Sequence, residues 1–211
     1  MLMIKVNITK MYKELKSGVR KRLFLLILVV GGVTSSANAQ NVAIKTNLFS
    51  DALLNANAGI EFALAPRWSL DLSGQYNAWT VDSHKWKHWL AQPEVRYWFC
   101  DHFAGHFVGL HALGGQYNFG NFDTSLSFLG TDYSIFASER HQGWYAGAGI
   151  AYGYSFILNR HLNLELELGV GYVYTRYDTF KCEGCGRKIE EDQSHHYVGP
   201  TKAAVNLVYA F

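Results

Sequence analysis

Apolar and polar residues alternate with a period of two along most of the chain. In LNLELELGVGYVY, residues 162–174, leucine, valine and tyrosine occupy every second position, and asparagine, glutamate and glycine occupy the others. GWYAGAGIAYGYSF, residues 143–156, alternates in the same way. Because successive side chains of a strand point to opposite faces, both stretches predict strands with one apolar face. Both exceed the usual strand length of about five or six residues and are long enough to cross a membrane.

The same pattern predicts eight strands, which span residues 41–51, 57–65, 68–78, 89–99, 106–119, 143–157, 162–178 and 197–211. The connections LAPRW, WFCDHFAGH and ILNRHL are short, whereas those after the third, fifth and seventh strands are long. Short turns at one end and long loops at the other are typical of outer-membrane barrels, and an even number of strands leaves no free edge in lipid. The sequence therefore predicts an all-β fold, an eight-stranded antiparallel transmembrane β-barrel in the outer membrane of a Gram-negative bacterium.

Charged residues fall opposite the apolar faces of these strands. They are Lys45, Glu61, Asp71, Glu94, Arg96, His111, Glu165, Glu167 and Lys202. In a secreted lipocalin-like barrel, the soluble alternative, these side chains would face water. In a membrane barrel they share an interior that eight strands make only wide enough for side chains to fill. The strand lengths and the tyrosine and tryptophan residues near strand ends favour the membrane barrel, so we expect a network of paired charges rather than a pore or an acid–base site.

The first 39 residues have the composition of a signal peptide. Seven basic residues and one acid accompany the apolar run LFLLILVVGGV, and Ala37 and Ala39 form a small-residue cleavage site before Gln40. The run is shorter than the roughly 20 residues of a membrane-spanning helix. We therefore expect a signal peptide at residues 1–39, with Met1 or Met11 as the start, and a barrel domain at residues 40–211. That domain has 12 basic and 16 acidic residues, a net charge of −4, which indicates no nucleic-acid surface.

The stretch KCEGCGRKIEEDQSHH, residues 181–196, contains a Cys-x-x-Cys motif followed by two histidines. Cys182, Cys185, His195 and His196 are the residue types of a zinc site. The cysteines lie in the last predicted outer loop, where an exported protein meets an oxidising environment. A local disulfide between them is the first interpretation, and a metal site with the histidines or a pair of free thiols stays open. Cys100 falls in a turn at the opposite end of the predicted barrel and is not expected to pair with either.

Histidines near the predicted outer loops offer an enzymatic interpretation. Outer-membrane enzymes that modify lipid A use a histidine close to a loop, with serine or aspartate near the outer leaflet. The second and third outer loops, which follow the third and fifth strands, contain these residue types. They are Asp82, Ser83, His84, Ser138 and His141. Such residues are also common in polar loops, so lipid A modification is the alternative to a non-enzymatic role. The third loop, residues 120–142, is rich in apolar side chains, which favours contact with a partner.

Six long stretches carry a family resemblance: NVAIKTNLFSDAL, NAGIEFALAPRWSLDLSGQYNAW, KWKHWLAQPEVRYWFC, GHFVGLHALGGQYN, GWYAGAGIAYGYSFILNRHLNLELELGVGYVYTRYD and HHYVGPTKAA. They resemble a domain-of-unknown-function family of small outer-membrane barrels from gut and oral Gram-negative bacteria, and cover nearly all of residues 41–211. The resemblance implies a barrel distantly similar in architecture to OmpA-type barrels, and it implies no catalytic residue or ligand. It links some relatives to surface-appendage (fimbrial) systems. Tyr209 and Phe211 resemble the C-terminal assembly signal that barrel-insertion machinery recognises.

Together these features predict a non-enzymatic protein with a structural or surface-recognition role through its outer loops. The expected partners are outer-membrane lipid, the barrel-insertion machinery and a surface or fimbrial protein. We expect no cofactor and no nucleic acid.

Overall fold

Eight long strands form one closed antiparallel barrel. This computed structural model describes residues 41–81, 84–120, 127–128, 131–132, 140–180 and 188–211. The barrel strands are β1 (Val42–Asn47), β2 (Ala56–Ala65), β3 (Trp68–Val81), β4 (His84–Trp98), β5 (Gly105–Gly120), β8 (Arg140–Ile157), β9 (Leu162–Phe180) and β10 (Lys188–Ala210), and the short strands β6 (Ser127–Phe128) and β7 (Thr131–Asp132) form a separate pair. Neighbours along the chain are neighbours in the barrel, and β1 closes on β10. The prediction of an all-β fold with eight antiparallel strands is confirmed.

Several strands extend further than their side-chain pattern predicts. β4 begins at His84 rather than at residue 89, and β10 begins at Lys188 rather than at residue 197. Both extensions are paired, since His84 lies opposite Val81 in β3 and Gln193 lies opposite Tyr177 in β9. These polar segments lack the alternation that marks a half-buried strand. These segments are therefore extended because they hydrogen-bond to a neighbouring strand, although their own sequence favours a strand only weakly.

The first strand is shorter than predicted because a helix replaces its second half. β1 ends at Asn47, and α1 (Leu48–Ala52) follows, where the sequence predicts a strand up to residue 51. The Asn47 side chain accepts a hydrogen bond from the Phe49 N–H at 3.0 Å and so caps the helix. Asn57 Nδ2 donates to Asp51 Oδ1 at 2.9 Å, which fixes the helix against β2. The apolar run NLFSDALL alternates too weakly to reveal this side-chain cap.

The two faces of the barrel wall differ in polarity. Apolar side chains point outward and are highly exposed, with Leu168 72% accessible, Leu110 65% and Ile150 63%. The alternate positions, which carry the charged residues, point inward and are buried. A lipocalin-like arrangement, with the apolar face inside, is therefore excluded. No helix in the described part of the chain is both long and apolar enough to span a membrane.

Three aromatic rings on the inner face lie over glycines of a directly paired strand. Phe107 faces Gly153 and His111 faces Gly149, in both cases between β5 and β8. A Cβ atom built on Gly153 would lie 2.3 Å from the Phe107 ring, and one built on Gly149 would lie 2.7 Å from His111 Nε2. Tyr145 covers Gly115 in the same way. Because glycine has no side chain, these positions leave the space that the large rings occupy in a narrow barrel.

Candidate functional site

The centre of the barrel holds a buried network of charged side chains built around Arg96. The inward-facing positions of β1–β5, β9 and β10 supply its members, because the alternation of each strand places one residue in two inside the barrel. Arg96 has no accessible surface and lies within ion-pair distance of five carboxylates: Glu94 (Nε to Oε1, 2.6 Å), Glu167 (Nη2 to Oε2, 2.7 Å), Glu61 (Nη1 to Oε2, 2.9 Å), Glu165 (Nη1 to Oε2, 3.0 Å) and Asp71 (Nη2 to Oδ2, 3.2 Å). The planar guanidinium suits this role, since it offers five N–H donors in fixed directions.

Two lysines complete the positive side of the network. Lys202 Nζ lies 2.9 Å from Glu94 Oε2 and 3.0 Å from Glu167 Oε1. Lys45 forms an ion pair with Glu61 and lies 3.7 Å from Glu165 Oε1. Each lysine therefore joins two carboxylates that Arg96 also contacts, and the ion pairs form one connected group across the barrel rather than separate pairs.

Neutral residues satisfy further oxygen atoms of the same carboxylates. Asn206 Nδ2 donates to Glu165 Oε1 at 2.7 Å, and Ser69 donates to Glu61. Ser69 in turn accepts from Trp98 Nε1 at 2.8 Å. The pattern of alternation already places Ser69, Trp98 and Asn206 on the inward face. Sequence reasoning missed them because it searched that face for charged residues only.

His111 lies at the edge of this network. Its Nδ1 is 3.5 Å from Glu94 Oε2, and its Nε2 is 2.9 Å from the Thr201 hydroxyl. Thr201 sits at an irregularity in β10, where the register shifts between Pro200 and Lys202. This bulge turns the hydroxyl toward the interior, which a strict period of two does not predict.

The structure thus brings all nine inward residues named from the sequence into one buried group, each at most 9% accessible. Five carboxylates against three permanently basic side chains leave a formal charge of −2 with a neutral histidine. A buried charge without a partner is very costly, and here every carboxylate has at least one basic partner. Such an arrangement stabilises a filled interior, in which the carboxylates contact basic side chains.

A cavity of about 710 Å³ lies above the network, at the end of the barrel opposite the short turns. Its inward side chains are uncharged, namely Asn77, His88, Tyr117 and Tyr177. His141, which the sequence places in the third outer loop, belongs instead to β8 and is buried, with Nδ1 3.4 Å from the Thr179 hydroxyl. His84 begins β4 rather than lying in a loop. Asp82, Ser83 and Ser138 lie outside the described residues.

The Cys-x-x-Cys motif lies outside the described residues, as does the predicted signal peptide. His195 and His196, expected at the start of the last strand, lie well inside β10 and are exposed. His196 Nδ1 contacts the Tyr172 hydroxyl, and its ring packs 5.2 Å from that of Tyr174. Consecutive side chains of a strand point to opposite faces, so the two histidines diverge. Within the described ranges, no three histidine, cysteine, aspartate or glutamate residues are grouped to hold a metal ion. Cys100 is a free, exposed thiol.

The C-terminal residues are integrated into the barrel seam. Tyr209 lies opposite Ile44 of β1, and the Phe211 N–H donates to the Val42 carbonyl at 3.0 Å. The rings of Tyr209 and Phe211 meet edge to face with centroids 5.1 Å apart. Both residues thus belong to the contact that closes the sheet.

Comparison with known proteins agrees with the resemblance seen in the sequence. The profile of a family described as "Protein of unknown function (DUF3575)" matches residues 23–211. The chain belongs to this family. The expected membership in a family of unknown function is therefore confirmed. No match was found among curated proteins.

Proposed function

We propose that this DUF3575 protein is an outer-membrane β-barrel of a Gram-negative bacterium, with a non-enzymatic role in envelope structure or surface recognition through its outer loops. The observation that carries the proposal is the uncharged outward face of the wall. On β9 this face reads Leu162, Leu164, Leu166, Leu168 and Val170, and then Tyr172 and Tyr174. Its first charge is Arg176. A wall of this kind would be unfavourable in water and suits a bilayer.

Aromatic residues border the apolar face at both ends. On β8 the apolar outward side chains begin with Trp144 and end with Tyr154 and Phe156, and only Ala146, Ala148, Ile150 and Tyr152 lie between. Ten residues of strand at about 3.3 Å each, tilted by about 40°, cover about 25 Å along the barrel axis. An apolar band of about 25 Å between two aromatic girdles is typical of outer-membrane barrels.

The filled interior supports a structural or recognition role rather than transport. Arg96 and the carboxylates around it occupy the middle of the barrel, where an eight-stranded wall leaves little further space. Beyond the aromatic residues, β10 includes the exposed segment Lys188–His196, which pairs with β9 to form a hairpin. This hairpin and the connections beside it would form the surface that a cell-surface or fimbrial partner contacts.

The position of His141 does not favour lipid A modification, the enzymatic alternative. His141 is buried inside the barrel against Thr179, away from the lipid-facing side of the wall. Replacing His84 or His141 by alanine should leave the mass profile of lipid A unchanged. A changed profile would favour the enzyme.

Fractionation of cells that express the protein tests the membrane location. We expect the protein in the outer-membrane fraction, where it should migrate faster on a gel before heating than after heating. A monomer released in soluble form by mild lysis would contradict the proposal. Pull-down from intact envelopes, with the wild type and with a variant that lacks residues 181–187, would identify a partner that depends on this part of the chain.

A further inference from the structure

The outward surface of β4, β5, β8 and β9 carries a shallow groove. A cavity of about 450 Å³ lies between Trp89 and Trp144, which are 43% and 42% accessible. Its outward floor consists of small residues, namely Ala91, Pro93, Ala112 and Gly114. The neighbouring outward residues of β8, Ala146 and Ala148, are small as well. A stretch of this wall is therefore thinner than the surrounding leucine and isoleucine surface.

Polar and charged residues, both basic and acidic, lie directly beyond this groove, on the side of the outer loops. Strand pairing places Trp89, Gln116, Trp144 and Arg176 in one row across the four strands. The next row contains Lys87, Asn118, Gln142 and Asp178. Trp89 Nε1 donates to Gln116 Oε1 at 3.3 Å, so the edge of the groove is ordered by a side-chain contact.

The basic residues flank the groove at a spacing set by the barrel. Lys87 and Arg176 are three strand spacings and one row apart, about 16 Å along the wall. Arg140 lies beyond Gln142 on the same face of β8, with its guanidinium 4.2 Å from the Phe180 ring centroid. Arg176 contacts Asp192 through Nε and Nη2, which leaves other N–H groups of its guanidinium free to point elsewhere. Amide side chains between these cations can bond to hydroxyl groups.

From this arrangement we propose that the groove binds a phosphorylated glycolipid of the outer leaflet. An acyl chain would lie on the small-residue floor between the two tryptophans. Its headgroup would lie on the polar rows, with phosphates near Lys87 and Arg176 and sugar hydroxyls near Gln116, Asn118 and Gln142. The basic groups of Lys87 and Arg176 favour the phosphates, although Asp178 and Asp192 lie beside Arg176 and weaken its attraction, and the apolar floor favours the acyl chain. The inference rests on the proposed membrane location.

Native mass spectrometry of the delipidated, detergent-solubilised protein tests the site. The probes are diphosphorylated lipid A, phosphatidylglycerol and phosphatidylcholine. We expect lipid A to bind at least about tenfold more tightly than phosphatidylcholine, and the double variant Lys87→Gln/Arg176→Gln to lose about tenfold in affinity for lipid A, as expected for the loss of two charged contacts. Arg160→Gln, in the exposed turn at the opposite end, is the matched control and should bind as the wild type does.

The apolar part of the groove is tested separately. A Cβ on Gly114 would meet nothing closer than 3.7 Å, so Gly114→Leu should fold and fill the groove. We expect it to weaken lipid A binding, whereas Ala58→Leu, outward on β2, should not. Equal affinity for all three lipids, or no effect of Gly114→Leu and of the double variant, would overturn the proposal. The proposal would also be overturned if the lipid-free protein were a dimer that Gly114→Leu dissociates, because a second copy of the chain would then occupy the groove. Heat-dependent gel migration of each variant shows whether the barrel is intact, and its absence in the wild type would instead contradict the membrane location itself.

Discussion

Arg96 Nη2 lies 2.7 Å from Glu167 Oε2 across the barrel, although the two residues are 71 positions apart in the chain. Arg96 is on β4 and Glu167 is on β9, so three strand pairings separate them around the wall. Their contact exists only once the barrel has closed. The ion pairs that join β4 to β9 therefore depend on closure of the sheet, and no single hairpin can form them.

Replacing Arg96 by methionine should strongly destabilise the barrel. The change leaves five buried carboxylates with two lysines, and removal of one partner from a buried ion network typically costs about 3–5 kcal/mol. Urea-induced unfolding in detergent, followed by the heat-dependent gel shift, measures the loss. Arg160→Met, in an exposed turn, should change the unfolding midpoint far less. An unchanged midpoint for Arg96→Met would contradict the role of the network in stability.

Two glycine substitutions should differ because of their neighbours. A Cβ on Gly149 would lie 2.5 Å from the Val170 carbonyl oxygen and 2.7 Å from His111 Nε2, whereas a Cβ on Gly114 has ordinary clearance. Gly149→Ala should therefore lower the free energy of unfolding by about 1–3 kcal/mol, and Gly114→Ala should have little effect. The same urea titration compares them. Equal effects of the two variants would show that the ring-over-glycine contact does not constrain the interior.

The wild-type protein should not conduct ions steadily across a planar bilayer. The buried network fills the middle of the barrel, and an eight-stranded wall has no spare width for a water-filled path. Recording under conditions in which a wide porin shows clear steps is the positive control. Reproducible conductance steps from the purified protein would contradict a filled interior.

Thiol counting should separate the interpretations of the Cys-x-x-Cys motif. Cys100 is free and exposed, so the folded protein should show one reactive thiol if Cys182 and Cys185 form a disulfide. The Cys100→Ser variant should then show none, with or without a chelator. Two thiols that become reactive only after chelation would indicate a metal site, and two that react at once would indicate free cysteines.

Much of the fold could be predicted because the alternation of side chains is regular. It assigned Glu165 and Glu167 to one face of β9 and the leucines around them to the other, as observed. It failed where local composition is polar, as at His84 and at the start of β10, because only the partner strand reveals that such segments are paired. The prediction also failed at α1, where a helix capped by the Asn47 side chain replaces the predicted end of the first strand.

The sequence by itself determined which face most residues occupy, since a strand has a period of two and the bulges in β2 and β10 interrupt that period only locally. It also determined that three basic and five acidic side chains would share the interior. Only the tertiary structure decided which of these charges meet, because the partners come from different strands and depend on the register between them. The bulge that turns Thr201 toward His111 and the row that joins Trp89, Gln116 and Trp144 are likewise properties of strand pairing.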